Sequence, residues 1–283
     1  MDWLHDSVES LRAAYDRDRK KPIPSWAAWD EIEGNSKPLR ILRHKPPGWE
    51  ANQTLIVYFH GGGWIVGSPE THADITASLS LSVECELLSV DYRLAPEHVA
   101  PAPVMDGLKV LEYLLAGSAQ KIILCGDSAG GAIALAVERA VPPHIRQHIS
   151  GVCSFYGYFG GFTGNLLLAK GDRLQGTDRE CLLRYWSLAH ANGVASPYSL
   201  ENLSQPSQVP VYLLAASEDP MFGDTLELTN RLSCLDRLVT LDIAEGETHG
   251  FLHDGIESQA VYQTIELVRE WSRKVRSNGR NDF

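Results

Sequence analysis

Lys121-Ile-Ile-Leu-Cys-Gly126-Asp-Ser-Ala-Gly-Gly131-Ala-Ile-Ala-Leu-Ala-Val137 is the stretch that decides the fold of this chain. Lys121 to Cys125 is a short apolar run and reads as a buried strand. Ala132 to Val137 belongs to a run of helix formers, with a helix expected over about 129–140. Between them, Gly126-Asp127-Ser128-Ala129-Gly130 fits the pattern G-x-S-x-G. A strand turning sharply into a helix holds the central serine in a strained conformation, and glycines two residues to either side remove Cβ atoms that would clash. The serine hydroxyl then stands exposed at the end of the sheet. The following helix N-terminus offers free N–H groups to a developing oxyanion. The bland alternative is an ordinary Gly/Ser/Ala turn.

Outward from this stretch, Thr54–Phe59, Cys85–Val90, Ile149–Phe155, Val211–Ala215 and Leu238–Ile243 are further strand candidates. Helical patterns lie between them at about 71–83, 103–116, 222–235 and 257–276. In the last, Val261, Ile265, Val268, Ser272 and Val275 keep a step of three or four. Strands alternating with helices imply βαβ crossovers and a mostly parallel sheet covered on both faces. The N-terminal residues carry a helical stripe of Leu4, Val8, Leu11 and Tyr15 that Pro22 and Pro24 interrupt. One stretch, 157–208, breaks the alternation, with a helix expected at about 178–190. It is too long for a plain connection. It is expected to be an insertion over one end of the sheet that meets the N-terminal helix; a surface loop without a role is the alternative.

His60-Gly61-Gly62-Gly63-Trp64 directly follows the strand 54–59. The amides of Gly62 and Gly63, with that of Ala129, are candidates to bind the negative oxygen of a tetrahedral intermediate. A flexible glycine turn is the alternative, and a phosphate loop is disfavoured because no Walker Lys-Ser/Thr follows. Of the ten histidines, His249 in Gly246-Glu-Thr-His-Gly-Phe251 comes just after the last strand candidate. In a parallel sheet that is the C-terminal end of the strands, where ligand and catalytic groups gather. His253 is its rival, expected to be a helix-start or surface residue, and His60 is expected to orient the glycine loop. Asp219, in Ala216-Ser-Glu-Asp-Pro220, is the candidate acid to fix the tautomer of the imidazole. Glu218 and Asp224 are rivals, or carboxylates capping the helix that starts near Phe222. Trp64, Tyr156, Tyr158 and Phe159 are candidates for lining a substrate pocket, with core packing as the alternative.

Composition narrows the classes further. The chain has 283 residues, 25 Lys and Arg against 36 Asp and Glu, and a net charge of −11. Hydrophobic residues at 44% and charged residues at 22% exclude wholesale disorder. The acidic balance lacks the basic face that nucleic acid requires, so no nucleic-acid partner is expected. Cys85, Cys125, Cys153, Cys181 and Cys234 form no C-x-x-C pair, which argues against a cysteine zinc site and a disulfide framework. Cys125 and Cys153 read as small buried hydrophobes. No metal and no membrane span are expected, and without a basic n-region and apolar h-region a cytoplasmic location is the expectation. Asn52 and Asn202 head N-x-S/T triplets, which carry little weight without a signal peptide.

Five stretches taken together resemble the bacterial hormone-sensitive-lipase-like (family IV) carboxylesterases, a branch of the α/β-hydrolase superfamily. They are His60-Gly-Gly-Gly-Trp64, Asp91-Tyr-Arg-Leu-Ala-Pro-Glu-His98, Gly126-Asp-Ser-Ala-Gly-Gly131, Ser217-Glu-Asp-Pro220 and Thr248-His-Gly-Phe251. The resemblance covers about 55–275 and implies an α/β class chain with the α/β-hydrolase fold. A single domain over 1–283 would hold a mostly parallel central sheet flanked by helices, with a small helical cap built from about 1–45 and 157–208. It implies Ser128 as nucleophile, His249 as general base and then acid, Asp219 as orienting carboxylate, and Gly62, Gly63 and Ala129 as oxyanion hole, without a cofactor. It also implies that Arg93, Glu97 and Asp106 are buried scaffold residues tying loops behind the site. The implied reaction is hydrolysis of short- to medium-chain acyl esters of small molecules through an acyl-enzyme. An amidase, formamidase or deacetylase of a specialised small molecule would use the same triad. A non-catalytic receptor on this scaffold is disfavoured, because receptors of this kind lose the histidine. Family members often pair as homodimers through an edge strand or outer helix, though no residue here marks one. Gly157-Tyr-Phe-Gly-Gly-Phe-Thr-Gly164 matches no family pattern, so substrate choice is what the resemblance transfers least.

Overall fold

The computed structural model describes residues 1–33, 38–49, 54–117, 121–160, 171–191 and 194–277. Asn52 and residues 161–164 of the glycine- and aromatic-rich stretch lie outside them. The strands are β1 (Ala27–Ile32), β2 (Leu39–His44), β3 (Thr54–Phe59), β4 (Glu86–Val90), β5 (Lys121–Asp127), β6 (Ile149–Phe155), β7 (Val211–Ala216) and β8 (Val239–Ala244). They form one sheet in the order β1-β2-β4-β3-β5-β6-β7-β8. β3 through β8 pair in parallel, while β1 with β2 and β2 with β4 are antiparallel. All six strands read from the sequence are present.

β1 and β2 correct the expected domain boundaries. Residues 27–32 and 39–44 belong to the sheet, so the stretch 1–45 is not a cap as a whole. Their sequences, Ala-Ala-Trp-Asp-Glu-Ile and Leu-Arg-Ile-Leu-Arg-His, carry charges that obscure a strand pattern. Those charges are accommodated at the sheet edge: Arg43 pairs with Asp30 at 3.0 Å and with Glu86 at 2.7 Å. An edge strand can carry such residues because part of it faces water.

The helices are α1 (Val8–Arg19), α2 (Ala73–Val83), α3 (Ala102–Ala116), α4 (Ala129–Ala140), α5 (Pro143–Arg146), α6 (Arg179–Ala189), α7 (Leu200–Leu203), α8 (Phe222–Ser233) and α9 (Gln259–Ser277), with a 3₁₀ turn at Phe251–Asp254. Alternate residues of a strand point to opposite faces, and β3 is buried throughout. Its Leu55, Val57 and Phe59 join the core under α3, α4 and α8. Its Ile56 and Tyr58 join the core under α2 and α9. A parallel sheet covered on both faces requires this continuous apolarity.

The insertion and the N-terminal segment do meet. Arg184 on α6 donates to the carbonyls of Trp3 at 2.5 Å and Asp6 at 2.6 Å. The Trp3 ring stands edge-on to Tyr185, 5.9 Å between centroids. Arg12 on α1 donates to the Ile65 and Ala95 carbonyls and forks onto both oxygens of Glu97. Arg93 binds the buried Asp106 through its backbone amide and guanidinium. Of the three expected scaffold residues only Asp106 is buried; Arg93 and Glu97 are exposed while still tying these loops.

Candidate active site

Ser128 follows β5, Asp219 follows β7, His249 follows β8 and the glycine run follows β3, so all four arrive at the C-terminal edge of the parallel strands. Ser128 has φ 50° and ψ −121°, a left-handed setting for a residue with a side chain, which costs about 1–3 kcal/mol. The turn is held by its packing. The Ser128 amide donates to the Phe155 carbonyl at 2.9 Å, and the Ser128 carbonyl accepts from Tyr158 at 3.1 Å. Gly130 is obligatory here: a Cβ on it would lie 1.9 Å from the Phe59 carbonyl oxygen.

Three side chains distant in sequence form a hydrogen-bonded line. His249 Nδ1 lies 2.6 Å from Asp219 Oδ2, and His249 Nε2 lies 2.9 Å from Ser128 Oγ. The other Asp219 oxygen accepts from the Met221 amide at 2.8 Å. With Nδ1 donating to the carboxylate, Nε2 is left as the acceptor for the serine hydroxyl. Asp219 is buried, whereas Glu218 is exposed. Asp219, and neither Glu218 nor Asp224, is the carboxylate hydrogen-bonded to His249.

The glycine run is moored beside this line. Gly62 has φ 110°, and a Cβ on it would lie 2.3 Å from the Val66 carbonyl oxygen. Its own carbonyl accepts from the amides of Ile65 and Val66. Asp127, the residue before Ser128, accepts on Oδ1 from the Gly61 amide at 2.9 Å and from the Tyr58 hydroxyl at 2.7 Å. The carboxylate therefore ties the glycine loop to the serine turn. Burial opposes ionisation of Asp127, yet its surroundings, with the hydrogen bonds it accepts from Tyr58 and Gly61 among them, hold its carboxyl well below the usual range. His60 donates from Nδ1 to the Gly61 carbonyl and stacks on Tyr92 at 4.2 Å, as its expected loop-orienting place requires. Burial pushes its imidazole down to about 3, which keeps it neutral. Ala129 is buried as the first residue of α4.

A cavity of about 410 Å³ opens over Ser128, with His249, Gly62 and Gly63 in its wall. That lies in the range of small-molecule sites, about 300–1,000 Å³. Tyr158 lines it as expected; Trp64, Tyr156 and Phe159 do not. Trp64 is buried in a cluster with Tyr198, stacked at 5.1 Å, and Trp186. Tyr156 and Phe159 are buried as well, with Tyr156 packed edge-on against His249. In place of these three, the wall holds Trp3, Tyr15, Leu182, Tyr185 and Met221, with Arg19 and Lys21 also lining it. The α1 stripe contained Tyr15, but no local signal placed it over Ser128. His253, expected at a helix start or on the surface, lines the cavity too. It stands edge-on to the buried His72, 4.7 Å between centroids.

Residues 56–253 match the family model of the alpha/beta hydrolase fold. The chain belongs to the α/β-hydrolase fold family. Carboxylesterase NlhH of Mycobacterium tuberculosis is 36% identical over 121 residues, 39% of this chain and 37% of the relative. The acetyl esterase of Salmonella schwarzengrund is 29% identical over 214 residues, 71% of this chain and 66% of the relative. The chain thus spans between about a third and two thirds of the length of these curated relatives. Among solved structures, an esterase of Pyrobaculum calidifontis superposes with a TM-score of 0.85 at 21% identity, covering 96% of this chain and 94% of the other. An esterase of the bacterial hormone-sensitive lipase family superposes at 0.84 and 23% identity, covering 95% and 92%. Among the described residues, no helix is long and apolar enough to cross a membrane.

Proposed function

We propose that this α/β hydrolase is a cytoplasmic serine carboxylesterase that hydrolyses short- to medium-chain acyl esters of small molecules. The observation that carries the proposal is the Asp219–His249–Ser128 line opening onto a cavity beside the glycine loop. Ser128 Oγ attacks the ester carbonyl as His249 Nε2 takes its proton, and Asp219 steadies the imidazolium. The amides of Gly62, Gly63 and Ala129 stabilise the tetrahedral oxyanion. His249 then passes the proton to the departing alcohol. A water, deprotonated by the same imidazole, releases the acid from the acyl-serine. No step calls for a cofactor. α1 and the inserted α6 cap the cavity, and their aromatic side chains define the acyl and alcohol subsites. The names of the curated relatives, a carboxylesterase and an acetyl esterase, favour esters over amides as substrates.

The decisive experiment is Ser128→Ala assayed on p-nitrophenyl acetate and butyrate. Removing such a nucleophile costs about a millionfold in kcat, so turnover should vanish while circular dichroism and melting temperature stay near those of the wild type. An organophosphonate should add to Ser128 of the wild-type protein. Undiminished turnover in folded S128A would remove Ser128 from the mechanism.

A further inference from the structure

Under the serine turn lies a second cluster that the proposed hydrolysis does not use. His72, Asp127 and His253 each present a ligand-type atom, all within 4.8 Å of one another. His72 and Asp127 are buried, and His253 is half-buried. Among the described residues, the hydrogen bonds to Asp127 leave its Oδ2 free to face the two imidazoles. The Thr71 hydroxyl donates to the Ser68 carbonyl, so the short contact of 2.9 Å between Thr71 Oγ1 and His72 Nδ1 is a donation from the imidazole. His72 Nε2 is then an acceptor whose one lone pair takes a 3.3 Å contact from the Gly61 amide; that amide is held more closely by Asp127 Oδ1, at 2.9 Å, so an ion at Nε2 displaces only the longer of the two contacts. Across from Nε2, 3.5 Å away, is Asp127 Oδ2. Both hydrogen bonds to that carboxylate fall on Oδ1. Among the described residues, no hydrogen bond reaches the ring nitrogens of His253.

We infer that His72 Nε2, Asp127 Oδ2 and one His253 ring nitrogen form a binding site for a divalent transition-metal ion of the zinc class. Two imidazoles and a carboxylate are a donor set for such ions. Zinc bonds of about 2.0–2.2 Å at a tetrahedral angle place two ligand atoms about 3.4 Å apart. The observed spacing of 3.5 Å between His72 Nε2 and Asp127 Oδ2 matches that separation, and it is long for a hydrogen bond between them. His253 closes the remaining gap by rotating on the 3₁₀ turn, where no hydrogen bond holds its ring. The second contact of each ligand is already in place. Thr71 orients His72, while Tyr58 and Gly61 hold the other oxygen of Asp127, the kind of outer support that metal ligands use. Asp127 and His253 both line the cavity above Ser128, so the cluster is reachable from it. The sequence carried no sign of this, because the three ligands are scattered along the chain and no spacing pattern joins them. The site is distinct from the triad and holds whether or not the chain is an esterase.

The test uses the full chain freed of metal by a chelator, titrated with Zn²⁺ by calorimetry and with Co²⁺ by visible absorption. One ion should bind per chain in the micromolar range or tighter. The cobalt form should show the intense d–d bands of a four- or five-coordinate nitrogen–oxygen site. His253→Gln should weaken binding by about 10- to 100-fold or more, as loss of even an outer ligand partner does. Being on a half-buried one-turn helix, it should stay folded by circular dichroism. Asp127 and His72 are buried, so H72Q is the second variant, read only where its melting temperature shows a folded protein. His249→Gln should bind as the wild type does. Three results would each overturn the assignment: no binding up to millimolar zinc, binding undiminished in H253Q, or binding lost in H249Q. A near-ultraviolet thiolate band would do so too, by placing the ion on the exposed Cys234.

Discussion

Asp219→Asn probes the candidate site most sharply, because the shape is kept while the charge and the donor pattern change. Asp219 is buried and both of its oxygens are spoken for, Oδ2 by His249 at 2.6 Å and Oδ1 by the Met221 amide at 2.8 Å. An asparagine has one oxygen to serve two donors. If the amide oxygen stays on Met221, the NH₂ group faces His249 and forces Nδ1 to accept. The imidazole proton then sits on Nε2, which can no longer take the proton of Ser128. If the amide flips, the NH₂ group faces the Met221 N–H, and a buried donor is left unmade at a cost of about 1–3 kcal/mol. The lost charge matters as well. At the observed 2.6 Å separation and an effective dielectric constant near 20, a carboxylate attracts an imidazolium by about 6 kcal/mol. That bound is consistent with the roughly 10⁴-fold loss of kcat known for this substitution in a serine triad, equivalent to about 5.4 kcal/mol of barrier. The assay is kcat and KM on p-nitrophenyl butyrate at neutral pH, with melting temperature as control. The loss should fall on kcat, since Asp219 is not among the cavity-lining residues. A folded D219N within tenfold of wild-type kcat would refute the assignment of Asp219 and the tautomer argument together.

Further expectations follow from other parts of the molecule. Gly62→Ala puts a Cβ 2.3 Å from the Val66 carbonyl oxygen at φ 110°, so the loop must shift; losing one oxyanion donor should lower kcat by about 10²–10³, and wild-type kcat in folded G62A would remove Gly62 from that role. Glu138→Ala strips the partner from the fully buried Arg237, 3.0 Å away. Breaking such a pair should cost about 3–5 kcal/mol of stability in urea unfolding, and a loss under 1 kcal/mol would show the pair to be dispensable. Burial pushes His44 down to about 4 from its ordinary 6.5, so between those values the unfolded chain holds the extra proton. Stability is therefore full above about pH 6.5 and is lost as pH falls toward 4, at up to about 1.4 kcal/mol per pH unit for this group. His44→Gln should flatten melting temperature against pH across that window, and an unchanged slope would refute the assignment.

Most of the fold was legible because parallel strands buried on both faces must be apolar along their whole length. β3 to β7 therefore stood out as short runs between helical patterns, while β8, at the other edge of the sheet, is only partly buried. β1 and β2 were illegible for the converse reason. They lie at the antiparallel edge, and their arginines and acids find partners such as Arg43 with Glu86 that no local pattern announces. The site divided along similar lines. Ser128, Asp219 and His249 each follow a strand, and the sheet itself brings strand ends together. Trp64, Tyr156 and Phe159 were aromatic and near the motifs, but an aromatic ring packs a core as readily as it lines a pocket, and here these three pack the core.

By itself the sequence determined the parallel strands β3 to β8, the longer helices between them and the serine turn, since these depend on local periodicity, glycine conformations and the order of strands. Tertiary structure alone decided which carboxylate reaches His249, which aromatics enclose the cavity, and that His72, Asp127 and His253 meet. Those outcomes rest on contacts between segments far apart in the chain, where a displacement of an ångström or two separates a hydrogen bond from empty space.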